Sequence, residues 1–140
     1  METNEVLITF KTAKLAKEKG FNWNTLHCFT DEGSLQYSSG DEDDNEFYNH
    51  NIWDSFSAPS QSVLQKCLRD LHGIHIVIIP TGTSHWTYKT IRVIAEIDND
   101  VIRGLKSVDS LPPYKEVCGF DFNTFEDALE DALYESLLTI

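Results

Sequence analysis

The chain has 140 residues, with 23 acidic against 11 basic side chains and a formal net charge of −12. Its hydrophobic content of 41%, including 11% aromatics, is enough to fill one core, which excludes a wholly disordered acidic tail. The same negative balance argues against direct binding to nucleic acid or an anionic membrane and favours a basic protein surface.

From the amino terminus, Thr9 is placed to cap a short helix in which Phe10, Ala13 and Ala16 share a face, with Lys11, Lys14 and Lys17 beside it. Gly20 stands where a left-handed residue ends such a helix, and Phe21 can fold back on the last turn. Trp23 to Tyr37 suits a hairpin, with Thr25–Thr30 as one strand, Asp31-Glu32-Gly33-Ser34 as the turn and Leu35–Tyr37 returning. Residues 38–46 are expected to form a mobile acidic loop. Phe47, Tyr48, Ile52, Trp53 and Phe56 follow at irregular spacing, too apolar to lie wholly in solvent.

The clearest helix comes next. Ser57-Ala58-Pro59 provides its start, with Pro59 in the first turn, and Val63, Leu64, Cys67, Leu68 and Leu71 form one apolar stripe. His72-Gly73 ends it, and Ile74–Ile79 reads as a buried strand bounded by Pro80. Thr81–Ser84 makes a turn, His85–Ile97 a long strand, Asp98-Asn99-Asp100 another turn, and Val101-Ile102 a further strand. Residues 103–119, with Gly104, Pro112, Pro113 and Gly119, read as irregular with room for one more short strand. Thr124 then caps a last helix, Asp127 standing where a capping box places its acid; Phe125, Ala128, Leu129, Ala132, Leu133 and Leu137 face inward, and Glu126, Asp127, Glu130, Asp131 and Glu135 outward. The order predicts a single α+β domain over residues 1–140, a largely antiparallel sheet with about three helices packed on one face.

Charge is sorted along this order. Residues 21–60 carry −8 and residues 116–140 carry −7, and neither stretch holds a single Lys or Arg. The face of the last helix therefore lacks the mixed i,i+4 pairs usual on soluble helices.

No recognised catalytic, cofactor or metal motif accompanies that charge. Asp41 to Glu46 has the alternating carboxylates that begin a calcium loop, but Glu46 stands where the bend needs Gly and Ile52 where a bidentate Glu belongs. His72 and His75 lack further ligands nearby in sequence. His85-Trp86-Thr87 matches one half of the His-x-Thr pair of two-histidine phosphoesterases, and His27, His50, His72 and His75 all fail to supply the other half. Cys28, Cys67 and Cys118 form an odd set without C-x-x-C spacing, which points to reduced, mostly buried thiols. His27 is badly placed to activate its neighbour Cys28, because adjacent strand residues face opposite ways. Trp86, Tyr88, Lys89 and Arg92 share a strand, where core packing is a better reading than base stacking. No apolar run approaches the roughly 20 residues of a membrane span, and the amino terminus lacks a secretory pattern, so a cytoplasmic protein is expected.

Three segments, Thr-Ala-Lys-Leu-Ala-Lys-Glu-Lys-Gly-Phe (12–21), Ser-Ala-Pro-Ser-Gln-Ser-Val-Leu-Gln-Lys-Cys-Leu-Arg-Asp-Leu-His-Gly-Ile-His-Ile (57–76) and Phe-Glu-Asp-Ala-Leu-Glu-Asp-Ala-Leu (125–133), together resemble a group of small uncharacterised proteins of Bacteroidetes and their phages or prophages. The middle segment is the most specific. The group supplies no activity and no residue roles. What the resemblance implies is a mobile-element setting, in which small acidic proteins such as anti-CRISPR proteins block host defence nucleases.

The expectation is a non-enzymatic, acidic, protein-binding factor that needs no cofactor and inhibits a nucleic-acid-handling host protein such as an RNA-guided nuclease. Its contact residues would be Asp41, Glu42, Asp43, Asp44, Glu46, Glu126, Glu130 and Asp131, with Trp53 as aromatic anchor. Two alternatives compete: an enzyme acting on a small molecule or nucleotide through His85 and Thr87, and a homo-oligomer packed through the Phe47–Phe56 aromatics.

Overall fold

Alternation of β-branched and polar residues and two well-capped amphipathic helices generate the α+β architecture expected of this sequence. The computed structural model describes residues 5–37, 49–52, 54–98, 101–110 and 121–140. In chain order these form α1 (Phe10–Glu18), β1 (His27–Phe29), β2 (Leu35–Tyr37), a 3-10 turn (His50–Ile52), β3 (Phe56–Ser57), α2 (Gln61–His72), β4 (Ile74–Pro80), β5 (Trp86–Asp98), β6 (Val101–Ser110) and α3 (Phe125–Leu138). Strand pairing is antiparallel throughout the described residues and is divided between two three-stranded sheets, β2-β1-β3 and β4-β5-β6. The chain falls into two compact units, Met1–Leu64 and Gln65–Ile140, so the boundary lies inside α2. The acidic loop expected at 38–46, the aromatics Phe47, Tyr48 and Trp53, the turn residues Asn99 and Asp100, and Cys118 lie outside the described residues.

In the first unit, Thr9 caps α1 as expected: its Oγ1 accepts the Thr12 N–H at 3.4 Å. At the other end Gly20, at φ +91°, lets the Phe21 N–H return to the Ala16 carbonyl while its own N–H meets Lys17. These two bonds satisfy carbonyls that the helix end would leave open. Ala13 and Ala16 are fully buried, and their small side chains let the helix lie close to its neighbours. Phe10 places its ring 5.5 Å from both Phe29 of β1 and Phe56 of β3, edge-on to the latter. Lys17 closes the cluster, with Nζ 4.8 Å above the Phe56 ring and donating to the Ser55 carbonyl at 2.9 Å.

The hairpin β1–β2 has the register His27↔Tyr37 to Phe29↔Leu35, tied at its turn by Thr30 and Ser34. Strand β3, which no sequence pattern marked, pairs on the other edge of β1 at Cys28↔Ser57 and Phe29↔Phe56. The start of α2 also differs from expectation. Pro59 lies before the helix, and Ser60 is the cap, its Oγ accepting the Val63 N–H at 3.3 Å. The cause is the amino-terminal segment: Ile8 donates to the Pro59 carbonyl and the Gln61 N–H donates to Val6, which holds residue 59 extended. A first-turn N–H that a helix cannot satisfy internally is thus used to anchor the chain start.

In the second unit, the Thr124 Oγ1 accepts the Asp127 N–H at 3.0 Å and starts α3. Ala128, Leu129, Ala132, Leu133, Ser136 and Leu137 are buried, one continuous stripe of which only Ser136 was not expected. Phe125, expected inward, is 42% exposed and instead stands edge-on to Trp86 at 5.7 Å. Leu71 keeps the angular position of the α2 stripe but sits in the last turn and is 60% exposed among the described residues. Helix α3 packs on β4 and β5.

Strand β6 corrects the sequence reading of residues 103–119 as mostly irregular. It runs from Val101 to Ser110 and pairs with β5 from Asp98↔Val101 to Ile91↔Ser110, with register shifts at Glu96/Ile97 and Ile91/Arg92. Gly104 pairs with Glu96 beside the first shift, so a glycine that suggested a break marks an irregularity inside a continuous strand. The bonds Val93 N–H to Gly73 and Thr81 N–H to His85 fix which residues of β4 face β5. Ile74, Ile76 and Ile78 consequently point their backbone groups to the outer edge. There the Gln65 Nε2 of α2 donates to the Ile76 carbonyl at 3.4 Å.

Gly73 joins α2 to β4 at φ +66°, and a Cβ placed on it would press into the Val93 carbonyl oxygen, a backbone atom already held in the sheet. Conformation and space both demand glycine here. Gly73→Ala should destabilise the chain by about 2–4 kcal/mol in urea unfolding, whereas Gly82→Ala, whose Cβ would meet nothing within 4 Å, should leave the midpoint nearly unchanged.

Candidate interaction surface

Of the residues expected to contact a partner, Glu126, Glu130 and Asp131 are described, all on α3; Asp41, Glu42, Asp43, Asp44, Glu46 and Trp53 lie outside the described residues. Glu126 and Asp127 are exposed in the first turn, where the helix dipole favours negative charge. Glu130, Asp131 and Glu135 are half-buried on the same helix. The last turn holds no basic residue to complement the carbonyl end. At i,i+4, Glu126 meets Glu130, Asp127 meets Asp131 and Asp131 meets Glu135, each like-charge pair opposing the helix by about 0.2–0.5 kcal/mol. By contrast α2 carries an ordinary mixed arrangement, Lys66 to Asp70 at 2.6 Å with Arg69 near the same carboxylate, which holds Asp70 below its usual carboxylate range.

Asp131 has a second role that sequence reasoning missed. Its Oδ2 accepts the Tyr88 hydroxyl at 2.7 Å, and Tyr88 on β5 is only 1% exposed. Burial, then the bond to Asp131 and the charges of Asp131 and Glu135, push the Tyr88 phenol far above its ordinary range, so it stays a donor at any physiological pH. Asp131 is therefore a tie between α3 and β5 as well as a surface charge. Pairing of a strand tyrosine with a helix carboxylate leaves no local sequence signal, since 43 positions separate them.

The competing sites fare differently. His85 is exposed just before β5, its Nδ1 3.4 Å from the Ser84 hydroxyl, while Thr87 is 1% exposed and its hydroxyl finds no hydrogen-bond partner among the described residues. The Thr87 hydroxyl is thus closed to solvent while the His85 ring is open to it. Phe56, one of the aromatics assigned to a subunit interface, is committed to Phe10 inside its own unit. Trp86 and Tyr88 lie on the α3 side of the sheet, Trp86 edge-on to Phe125 and Tyr88 tilted against Phe122, rather than forming a base-stacking platform. Cys28 and Cys67 are free and buried, and burial raises both thiols, Cys67 to about 11. Such thiols are poor nucleophiles at neutral pH. Among the described residues no three His, Cys, Asp or Glu side chains gather as a metal site, and no helix is long and apolar enough to cross a membrane.

No protein-family model, curated protein or solved structure matches the chain.

The double role of Asp131 separates it from its neighbours. Asp131→Ala should lower stability by about 1–3 kcal/mol by orphaning a buried phenol, Tyr88→Phe by about 1 kcal/mol, and Glu130→Gln should change it by less than about 0.5 kcal/mol, all read from urea unfolding at neutral pH.

Proposed function

We propose that this chain is a non-enzymatic binding factor whose carboxylates dock on a basic groove of a nucleic-acid-handling protein, in the cytoplasm. The observation that carries this reading is α3: five carboxylates on one helix that has no basic residue of its own. Folding gains nothing from the i,i+4 repulsions, and the first-turn acids alone would satisfy the dipole. The basic-free stretch 21–60, with Asp41, Glu42, Asp43, Asp44 and Glu46, adds a second block of the same sign. A surface of that kind mimics the charge of a nucleic-acid backbone, so it competes for grooves that bind phosphates. An RNA-guided defence nuclease is the partner class that the resemblance to phage and prophage proteins brings forward. Charge would set the encounter rate and its salt dependence, and an aromatic such as Trp53 would slow release.

Purified guide-loaded nucleases cutting a matched DNA provide the test, with the chain added at about 50 mM and about 300 mM salt. The expected result is inhibition of at least one nuclease that weakens steeply with salt. A variant with Asp41, Glu42, Asp43, Asp44, Glu46, Glu126 and Glu130 all changed to amides, leaving Asp131 on Tyr88, should inhibit at least about tenfold more weakly. Inhibition that survives this neutralisation unchanged refutes the charge mechanism, and cleavage unaffected across the panel refutes the nuclease as partner.

A further inference from the structure

Among the described residues the sheet of the second unit has two outer strands, β4 and β6, and they are defended differently. Strand β6 carries Arg103, Lys106 and Asp109, charges of the kind that keep an exposed edge from pairing with another chain. Strand β4 has no such protection: no Asp, Glu, Lys or Arg stands between Asp70 and Lys89. Its N–H and carbonyl groups at Ile74, Ile76 and Ile78 point away from β5. Among the described residues only the Ile76 carbonyl has a partner on that side, the Gln65 Nε2 at 3.4 Å. We infer that Gln65 is a gate on this edge, and that the occupant it keeps out is β4 of a second copy of this chain.

Geometry and charge both select a second copy. Two antiparallel strands related by a two-fold axis pair residue i with residue j and j with i. With the axis at Ile76, its N–H and carbonyl meet those of the same residue in the other copy, and Ile74 meets Ile78 in both directions. Shifting the register either way brings in His72 of α2 or Pro80, which has no N–H, so this register alone uses every outward group. The isoleucines then fall on one face in both copies. In a chain of net charge −12, this uncharged edge also lets two copies meet without opposing like charges. The central contact of that register is the Ile76 carbonyl, the group that the Gln65 amide holds. An incoming strand would lie about 4.8 Å from β4, in the space through which the Gln65 side chain crosses to reach Ile76. Arg69, one turn along on the same side of α2, stays exposed and turns to Asp70 instead.

Sedimentation of the intact chain over a range of concentrations tests the gate. The unaltered protein should run as the 16.0 kDa monomer, and Gln65→Ala, which keeps helix propensity but removes the amide, as a dimer of twice that mass. Adding Val77→Lys to Gln65→Ala should restore the monomer: Val77 is 44% exposed, so lysine is tolerated there and puts charge on the edge. Amide exchange locates the contact. In the Gln65→Ala dimer the Ile76 and Ile78 amides should exchange at least about tenfold more slowly than in the unaltered chain. A Gln65→Ala protein that stays monomeric overturns the gate, and so does a dimer that survives Val77→Lys or leaves those amides unprotected. An unaltered chain already paired through Ile76 and Ile78 overturns it as well.

Discussion

The bond between Tyr88 and Asp131 is the contact on which the second unit turns. A phenol closed off from water must find an acceptor, and the acceptor it finds is a charged oxygen on α3. That fixes the rotation of α3 over the sheet, since turning the helix would carry the carboxylate away from the ring. With rotation fixed, the alanines and leucines at 128, 129, 132, 133 and 137 face β4 and β5, and Glu126 and Asp127 face solvent. The acidity of the exposed face and the order of the core are set by one geometric choice.

The first unit solves a different problem. Its sheet has strands of two or three residues, too short to hold together by ladder bonds alone. Side chains take over that work. The Phe10, Phe29 and Phe56 rings bind α1 to both β1 and β3, and Asn51 reaches backbone groups on either side of its turn. Where backbone pairing is sparse, the fold depends on a few polar and aromatic residues rather than on a long regular pattern.

That contrast explains what could be read from the sequence. Helices α1 and α3, the β1–β2 hairpin and strands β4 and β5 announce themselves through caps, turn residues and period, all local signals. Strand β3 was invisible because two residues carry no period, and its pairing comes from Asn51 and β1. Strand β6 was obscured by Gly104, which reads as a breaker until its partner Glu96 is known. The start of α2 was read at Ser57–Pro59 instead of at its Ser60 cap, because the strand-like bridge from Ser60 to Leu7 lies more than fifty residues away in sequence. For the candidate surface, the sequence identified the acidic face of α3 but not that Asp131 also holds a buried hydroxyl. Long-range hydrogen bonds link the misses at β3, β6, Ser60 and Asp131.

The Gln65 contact on the outer edge of β4 bears on how this protein stays monodisperse in its own company. Ile74–Pro80 is a run of β-branched residues with backbone groups turned outward, the kind of segment that recruits other chains into shared sheets. Helix α2 directly precedes it. In the folded chain the Gln65 amide covers the outward Ile76 carbonyl, and Pro80, with no N–H to offer, closes the run. The guard and the strand it guards are thus neighbours along the chain, joined through Gly73.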